Sequence, residues 1–278
     1  MPLFISSINS GSNGNCYYIG NKDEAVLVDA GIYCKEIEMR MKRQGLDIKK
    51  VKAVFVSHEH TDHISGLRSL SKKHQIPVYI TSHTLRDSYI RIEKHLINSF
   101  KEMDPVSIGG LSVTAFKKSH DASDPHSFIV SGDQVNVGIF TDIGFACKPL
   151  INYFRQCHAA FLETNYCDDM LMTGSYSKYL KKRISSKKGH LSNSQALELF
   201  TRHKGNYLKY LILSHLSKNN NTPELVDKLF NEYAGSTTIV VASRYEETAV
   251  YCVEQNGDAK DLYHCSHTEP EQVQLSLF

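Results

Sequence analysis

One short segment constrains this chain more than any other: Val54-Phe55-Val56-Ser57-His58-Glu59-His60-Thr61-Asp62-His63-Ile64-Ser65-Gly66-Leu67. An apolar run of strand length enters a loop with three histidines and an aspartate in six positions, and an amphipathic stretch follows. Packing rarely calls for four such side chains together, because each needs a polar partner once it is buried. Imidazole and carboxylate donors suit divalent cations of the zinc and manganese kind. A loop at a strand end can aim several side chains at one point while the sheet behind it stays rigid. The segment therefore asks for a sheet, and for more donors from other strand ends.

The pattern along the chain supplies the sheet. Alternation and β-branched runs predict strands near 3–8, 16–20, 24–29, 52–57, 77–81, 111–117, 127–131, 134–141, 158–163, 208–213, 237–241 and 249–253. Helical spacing predicts helices near 34–44, 63–74, 83–92, 146–155, 175–184, 193–203 and 222–233. The start of the helix at 193–203 is marked by Ser192 or Asn193 ahead of Ala196, Leu197, Leu199 and Phe200. Strands that first pair and then alternate with helices predict a mixed sheet covered by helices.

Composition narrows the class. A content of 41% hydrophobic residues in 278 is enough for a large core, and a net charge of +2 excludes a polycation. No apolar run approaches membrane-span length, so no membrane association is expected. Seven cysteines without a C-x-x-C pair predict reduced thiols and a cytoplasmic location, and residues 1–10 carry no basic, apolar leader. Residues 1–255 read as one compact domain. After Val253 the pattern fades, so 256–278 read as a flexible tail.

The H-x-H-x-D-H loop resembles the signature of the metallo-β-lactamase superfamily. Val28-Asp29-Ala30-Gly31, Ser119-His120-Asp121-Ala122, Phe140-Thr141-Asp142-Ile143-Gly144 and Leu213-Ser214-His215-Leu216-Ser217 extend the resemblance in the family's order. It implies an α/β (α+β) fold, an αββα sandwich of two mixed sheets flanked by helices. It also implies two divalent ions, Zn2+ or Mn2+. His58, His60 and His120 would hold one ion, Asp62, His63 and His215 the other, and Asp142 would bridge them, with Asp29 supporting the loop from behind. A hydroxide shared by the ions would be the nucleophile, and Asp62 could orient it. No metal role is expected for His74, His83, His95, His126, His158, His203, His264 or His267.

The order Glu163-Thr164-Asn165-Tyr166, Gly189-His190-Leu191-Ser192-Asn193 and Ser214-His215-Leu216-Ser217 resembles the second half of ribonuclease Z-type nucleases. In that comparison His190 contacts the scissile phosphate or protonates the leaving oxygen, with Glu163 as its orienting partner. Ser10-Gly11-Ser12-Asn13-Gly14-Asn15-Cys16-Tyr17 and His215-Leu216-Ser217-Lys218-Asn219-Asn220-Asn221 bring the chain closer to the YycJ/WalJ-like group. That resemblance implies a DNA exonuclease working from 5′ ends in replication or mismatch repair. A basic stretch, Lys181, Lys182, Arg183, Lys187 and Lys188, is a candidate DNA track, and Tyr176 and Tyr179 are candidates for base stacking. A solvated lysine-rich face is the plainer reading of the same residues.

The last five residues, Gln274, Leu275, Ser276, Leu277 and Phe278, match a pentapeptide by which bacterial DNA-processing proteins engage the sliding clamp. Leucine and phenylalanine anchors for a hydrophobic groove, on an unpatterned leader, suit that mode of recognition. Two rival readings remain at this level. One is a metallohydrolase of small thioesters, lactones or cyclic phosphodiesters, and the other is a non-catalytic clamp-bound adaptor.

Overall fold

The structure, a computed structural model, describes residues 1–255. The predicted tail, including the clamp-binding candidates Gln274 to Phe278, lies outside the described residues. Two seven-stranded mixed sheets are present among them. The first comprises β1 (Leu3–Asn9), β2 (Cys16–Gly20), β3 (Ala25–Val28), β4 (Val51–Phe55), β5 (Val78–Tyr79), β6 (Ile97–Asn98) and β14 (Tyr251–Val253). Its order is β14-β1-β2-β3-β4-β5-β6. The second comprises β7 (Val106–Ile108), β8 (Leu111–Lys117), β9 (His126–Gly132), β10 (Val135–Phe140), β11 (Ala159–Glu163), β12 (Tyr210–Ser214) and β13 (Thr238–Val241), in the order β13-β12-β11-β10-β9-β8-β7.

Strand alternation places the core. Ile5, Tyr17, Val26, Val28 and Phe55 of the first sheet meet Val113, Phe128, Val137, Phe161 and Ile212 of the second in a shared apolar layer. The intervening residues face the other way. Leu27 and Val54 pack with Ile37 and Met41 of α1 (Cys34–Arg43) and Leu67 and Leu70 of a second helix. On the far side, Phe140, Leu162 and Leu213 pack with Leu150, Phe154, Ala196, Phe200, Val226 and Phe230 of three more helices. The result is the four-layer sandwich that the resemblance implied. Both faces of the central strands are covered, so β2, β3 and β11 are buried along their whole length.

The remaining helices are α2 (Thr61–Ile64), α3 (Leu67–His74), α4 (Ser82–Ser88), α5 (Lys148–Phe154), α6 (Asp168–Thr173), α7 (Lys178–Ile184), α8 (Asn193–His203) and α9 (Pro223–Asn231). α8 has the predicted bounds, and Ser192 closes a reciprocal capping box with Gln195. The helix expected at 63–74 is instead two, α2 and α3. Gly66 between them lies so close to the Ile32 carbonyl that a Cβ there would overlap it. Patterning predicts mixed strand directions, and the structure divides the strands between the two sheets that the resemblance implied. β6, β7 and α6 were not foreseen, because two to six residues carry too little periodicity to register.

Strand direction gathers the site. β3 runs parallel to β4, and β10, β11, β12 and β13 are mutually parallel. β8 and β10 are each antiparallel to β9 and so share one direction. Residues that follow β3, β4, β8, β10, β11 and β12 therefore emerge at carboxyl ends of strands, where open α/β sheets place their ligands.

Candidate metal centre

Three of the predicted residues, Asp29, Asp142 and His215, directly follow a strand or its last turn with positive φ, 63°, 54° and 58°. Positive φ is uncommon outside glycine, with aspartate and histidine among the residues that adopt it most readily, and it turns the chain sharply at the end of each strand. His215 is held there by its own backbone N–H, which donates to Ser10 Oγ at 2.8 Å. Ser10 Oγ in turn contacts the Tyr17 hydroxyl at 2.8 Å.

The expected donors converge. His58, His60 and His120 present nitrogens within 4.8 Å of one another, and so do the donor atoms of Asp62, His63 and His215. Between the two sets, Asp142 Oδ2 lies 3.1 Å from His63 Nε2, and Asp142 Oδ1 lies 3.9 Å from His120 Nε2 and 3.4 Å from His215 Nδ1. His60 Nδ1 is 3.0 Å from His58 Nε2 and 3.4 Å from His120 Nε2.

Four of the rings, His58, His63, His120 and His215, have Nδ1 engaged by a neighbouring group, His58 by Ser57 Oγ at 2.9 Å. His63 Nδ1–H donates to Asp29 Oδ2 at 2.7 Å, and Ser57 donates to both Asp29 oxygens at 2.8 Å, from its N–H and its hydroxyl. His120 Nδ1–H donates to the Gly189 carbonyl at 3.1 Å, and His215 Nδ1–H to Glu163 Oε1 at 2.9 Å. Such backing from carboxylates and carbonyls is what fixes a ligating imidazole's tautomer and direction.

What the backing leaves over is a test of whether a cation fits. Buried His215 Nε2 and Asp142 Oδ2 have no hydrogen-bond partner; the contact of Asp142 with His63 lies outside hydrogen-bonding geometry. Buried polar atoms without partners are rare and costly. Four carboxylates (Asp29, Asp62, Asp142 and Glu163) also crowd a region with little exposure. Burial opposes the charge on His215, yet the surrounding carboxylates, Asp142 first, push its pKa up to about 10. His63 is raised in the same way against its burial, by Asp29, Asp142 and Asp62. The site thus attracts positive charge and offers inward-facing donors, and divalent cations fit both features.

His58 and His120 show the complement. Burial chiefly, with neighbouring positive groups, lowers His58 well below the usual range and His120 to about 4. Both stay neutral, the form in which imidazole binds a metal.

Glu163 sits fully buried behind two histidines. Its Oε1 accepts from His190 Nδ1 at 2.7 Å as well as from His215, and its Oε2 accepts from the backbone N–H of Ile143 at 2.7 Å and Leu191 at 3.1 Å. Burial works against its charge, but His190 and these bonds hold its pKa down to about 2. His190 is half-buried and lines a cleft of about 310 Å³, together with His60, Asp62, His120, Asp142 and His215.

The basic stretch is brought to the cleft only in part. Arg183, on α7, lines it, and its Nε donates to Asp121 Oδ2 at 2.6 Å. Lys181 Nζ is tied to the Met172 carbonyl at 2.6 Å. Lys182, Lys187 and Lys188 are exposed and do not line the cleft. Tyr176 is in the cleft wall, whereas Tyr179, 80% exposed, is not. His126 is buried edge-on against Phe100 and donates to the Asp124 carbonyl, a packing role.

Several residues escaped the sequence reading. Asn15 Nδ2 lies 3.2 Å from both Asp62 Oδ2 and His63 Nε2. Buried Lys118 donates to the Thr141 carbonyl at 2.8 Å, just ahead of Asp142. The signal for Asn15 was its place in the Gly11–Asn15 turn, and for Lys118 its place two residues before His120.

Comparison with known proteins accords with this geometry. Residues 10–154 match the model of the metallo-beta-lactamase superfamily. The chain is 33% identical over 233 residues to "Exodeoxyribonuclease YycJ" of Bacillus anthracis, covering 81% of this chain and 86% of that protein. It is 32% identical over 230 residues to "Exodeoxyribonuclease WalJ" of Streptococcus pneumoniae, covering 79% and 84%. The metallo-beta-lactamase fold protein YhfI of Bacillus subtilis superposes with a TM-score of 0.71 at 18% identity, covering 91% of this chain and all (100%) of that one, a likeness of fold.

Proposed function

This chain belongs to the metallo-beta-lactamase superfamily and is a metal-dependent hydrolase, and from that premise we propose that it is a DNA exonuclease cleaving phosphodiester bonds. The observation that carries the reading is the Glu163–His190 pair beside the donor cluster, in a chain similar along most of its length to two exodeoxyribonucleases.

His58, His60 and His120 would hold one cation, Asp62, His63 and His215 a second, with Asp142 between them. Bound divalent cations supply acidified water and neutralise charge on a phosphoryl group. The chain's own side chains supply the rest. Asp62 is the most exposed carboxylate of the cluster and is steadied by Asn15, so it is placed to accept a hydrogen bond from the attacking hydroxide and orient it. Glu163 holds His190 by Nδ1, which leaves Nε2 for the cleft. There Nε2 can contact a phosphoryl oxygen or pass a proton to the departing alkoxide. Glu163 itself is a positioning residue, since its oxygens are spent on His190, His215 and two backbone amides.

The proposed path for DNA runs along α7, with Arg183 and Tyr176 in the wall and the exposed lysines Lys182, Lys187 and Lys188 as outlying phosphate contacts. Residues 1–255 would form the catalytic unit. The segment 256–278 would tether it to the sliding clamp through Gln274, Leu275, Ser276, Leu277 and Phe278, which would place it in replication or mismatch repair.

End-labelled single- and double-stranded DNA, with zinc, manganese and magnesium compared, tests the activity beside a generic thioester. Stepwise release from one end, weakening steeply with salt, is expected. Thioester hydrolysis with the DNA left intact would reject the nuclease reading.

A further inference from the structure

Beside the catalytic cleft lies a second one, of about 520 Å³, lined in part by Ser10, Leu216, Ser217, Lys218, Arg244 and Tyr245. Ser217 borders both clefts, so they are contiguous at the segment that follows His215. At this junction stands Arg244. Its Nη1 is buried without a hydrogen-bond partner, its Nη2 has one hydrogen bond, to Ser12 Oγ at a weak 3.5 Å, and the guanidinium carbon lies 6.0 Å from the centroid of the Tyr245 ring. Among the described residues no carboxylate forms an ion pair with it. A guanidinium has five N–H donors, and burying one unmet is unfavourable. Ser12 lines the catalytic cleft, so the guanidinium faces the border between the two clefts.

The platform under Arg244 is rigid. Asn13 Nδ2 donates to the Arg244 carbonyl at 2.8 Å, and Ser10 N–H to the Ser243 carbonyl at 3.1 Å. Buried Arg40 donates to the Tyr245 carbonyl at 2.9 Å and to Asn9 Oδ1 at 2.7 Å. Thr248 closes the loop on Ser6 and Ser7. The loop is therefore tied down at residues 243, 244, 245 and 248, and ordering it on binding costs little.

We infer that Arg244, with Ser12, Ser217 and Lys218, is an anion subsite for a phosphate of the nucleic acid strand next to the scissile one, and that the flanking nucleotide enters the second cleft. An arginine fork matches phosphate geometry and hydroxyls complete the shell. Leu216 and Tyr245 offer apolar surface to the sugar or base. Glu224 and Glu246 also line this cleft, which confines the anion to the Ser12 and Ser217 side of Arg244. This inference rests on the nuclease reading, because it assigns the neighbouring subsite of the same strand.

The test is R244A, assayed on a single-stranded oligonucleotide and on bis(p-nitrophenyl) phosphate, a small diester that cannot reach the second cleft. The expected result is a KM for the oligonucleotide raised about tenfold and a log–log salt dependence shallower by about 0.7, as for one lost phosphate contact on a single strand. Turnover of the small diester stays at the wild-type level, and R244K recovers part of the loss. An unchanged oligonucleotide KM and salt slope would overturn the subsite, and so would equal losses on both substrates, which would make Arg244 part of the framework. Wild-type protein that hydrolyses the diester and leaves oligonucleotides whole would bring down the nuclease reading, and this inference with it.

Discussion

His63 and Asp29 are both fully buried, and the ring gives its Nδ1–H to the carboxylate across 2.7 Å. Asp29 is in turn gripped by two donors of Ser57, so a chain of hydrogen bonds runs from the end of β3 into the loop of residues 57–63. The arrangement aims Nε2 of His63 inward, where Asp62 and Asp142 oxygens stand 3.5 Å and 3.1 Å away.

If that backing sets the ring's direction, D29N should weaken metal binding by about 10–100-fold. Asparagine tolerates the left-handed backbone of position 29, so the fold should persist. Competition with a chromophoric chelator measures the affinity and circular dichroism the fold. Undiminished affinity would show that Asp29 does not orient the ligand.

H190A should lower kcat on DNA by about 10²–10⁴-fold with the bound metal content unchanged. Metal analysis of the purified variant beside single-turnover rates separates the two effects. Loss of metal from H190A would move His190 from phosphate chemistry into the ligand set.

Removing metal should abolish hydrolysis and lower Tm, because unpartnered acceptors and crowded carboxylates are left in a buried place. Saturating the site at roughly 1,000 times Kd would be worth about 4 kcal/mol in stability. Thermal melts with chelator and with re-added zinc or manganese give the comparison. Equal Tm in all three conditions would contradict a built cation site.

G31A should destabilise the protein by about 1–3 kcal/mol and disturb the metal-binding loop. A Cβ at position 31 would overlap the Asp62 carbonyl, which also accepts from the Asn15 N–H at 2.7 Å. Chemical denaturation and metal affinity should fall together. A variant as stable and as tightly metal-binding as the parent would refute the close approach.

Deleting Gln274 to Phe278 should leave activity on short oligonucleotides intact while removing affinity for a purified bacterial sliding clamp. Surface plasmon resonance with both proteins decides this. Equal affinity of the truncated chain would dismiss the tail peptide.

Much of this molecule was legible in one dimension. Long periodic elements such as 111–117 and 193–203 announced their own bounds, since side-chain alternation and capping act over neighbouring residues. The three histidines and aspartate in 58–63 stood out because metal chemistry admits few residue types, whereas Asp29, His120, Asp142 and His215 were joined to them only by the family resemblance, and the structure brings their side chains close together. Tertiary structure alone decided the relations between distant positions. Ser10 steadies His215 across 205 residues, and Glu163 grips both His190 and His215. The same holds for Arg183, which is pinned to Asp121, and for Arg244, which has no carboxylate ion-pair partner among the described residues at the seam of two clefts. The physical reason is that local patterning reports which face of a strand or helix is apolar, whereas the partners of a buried charge are set by how whole sheets stack, and that stacking leaves no periodic trace in the chain.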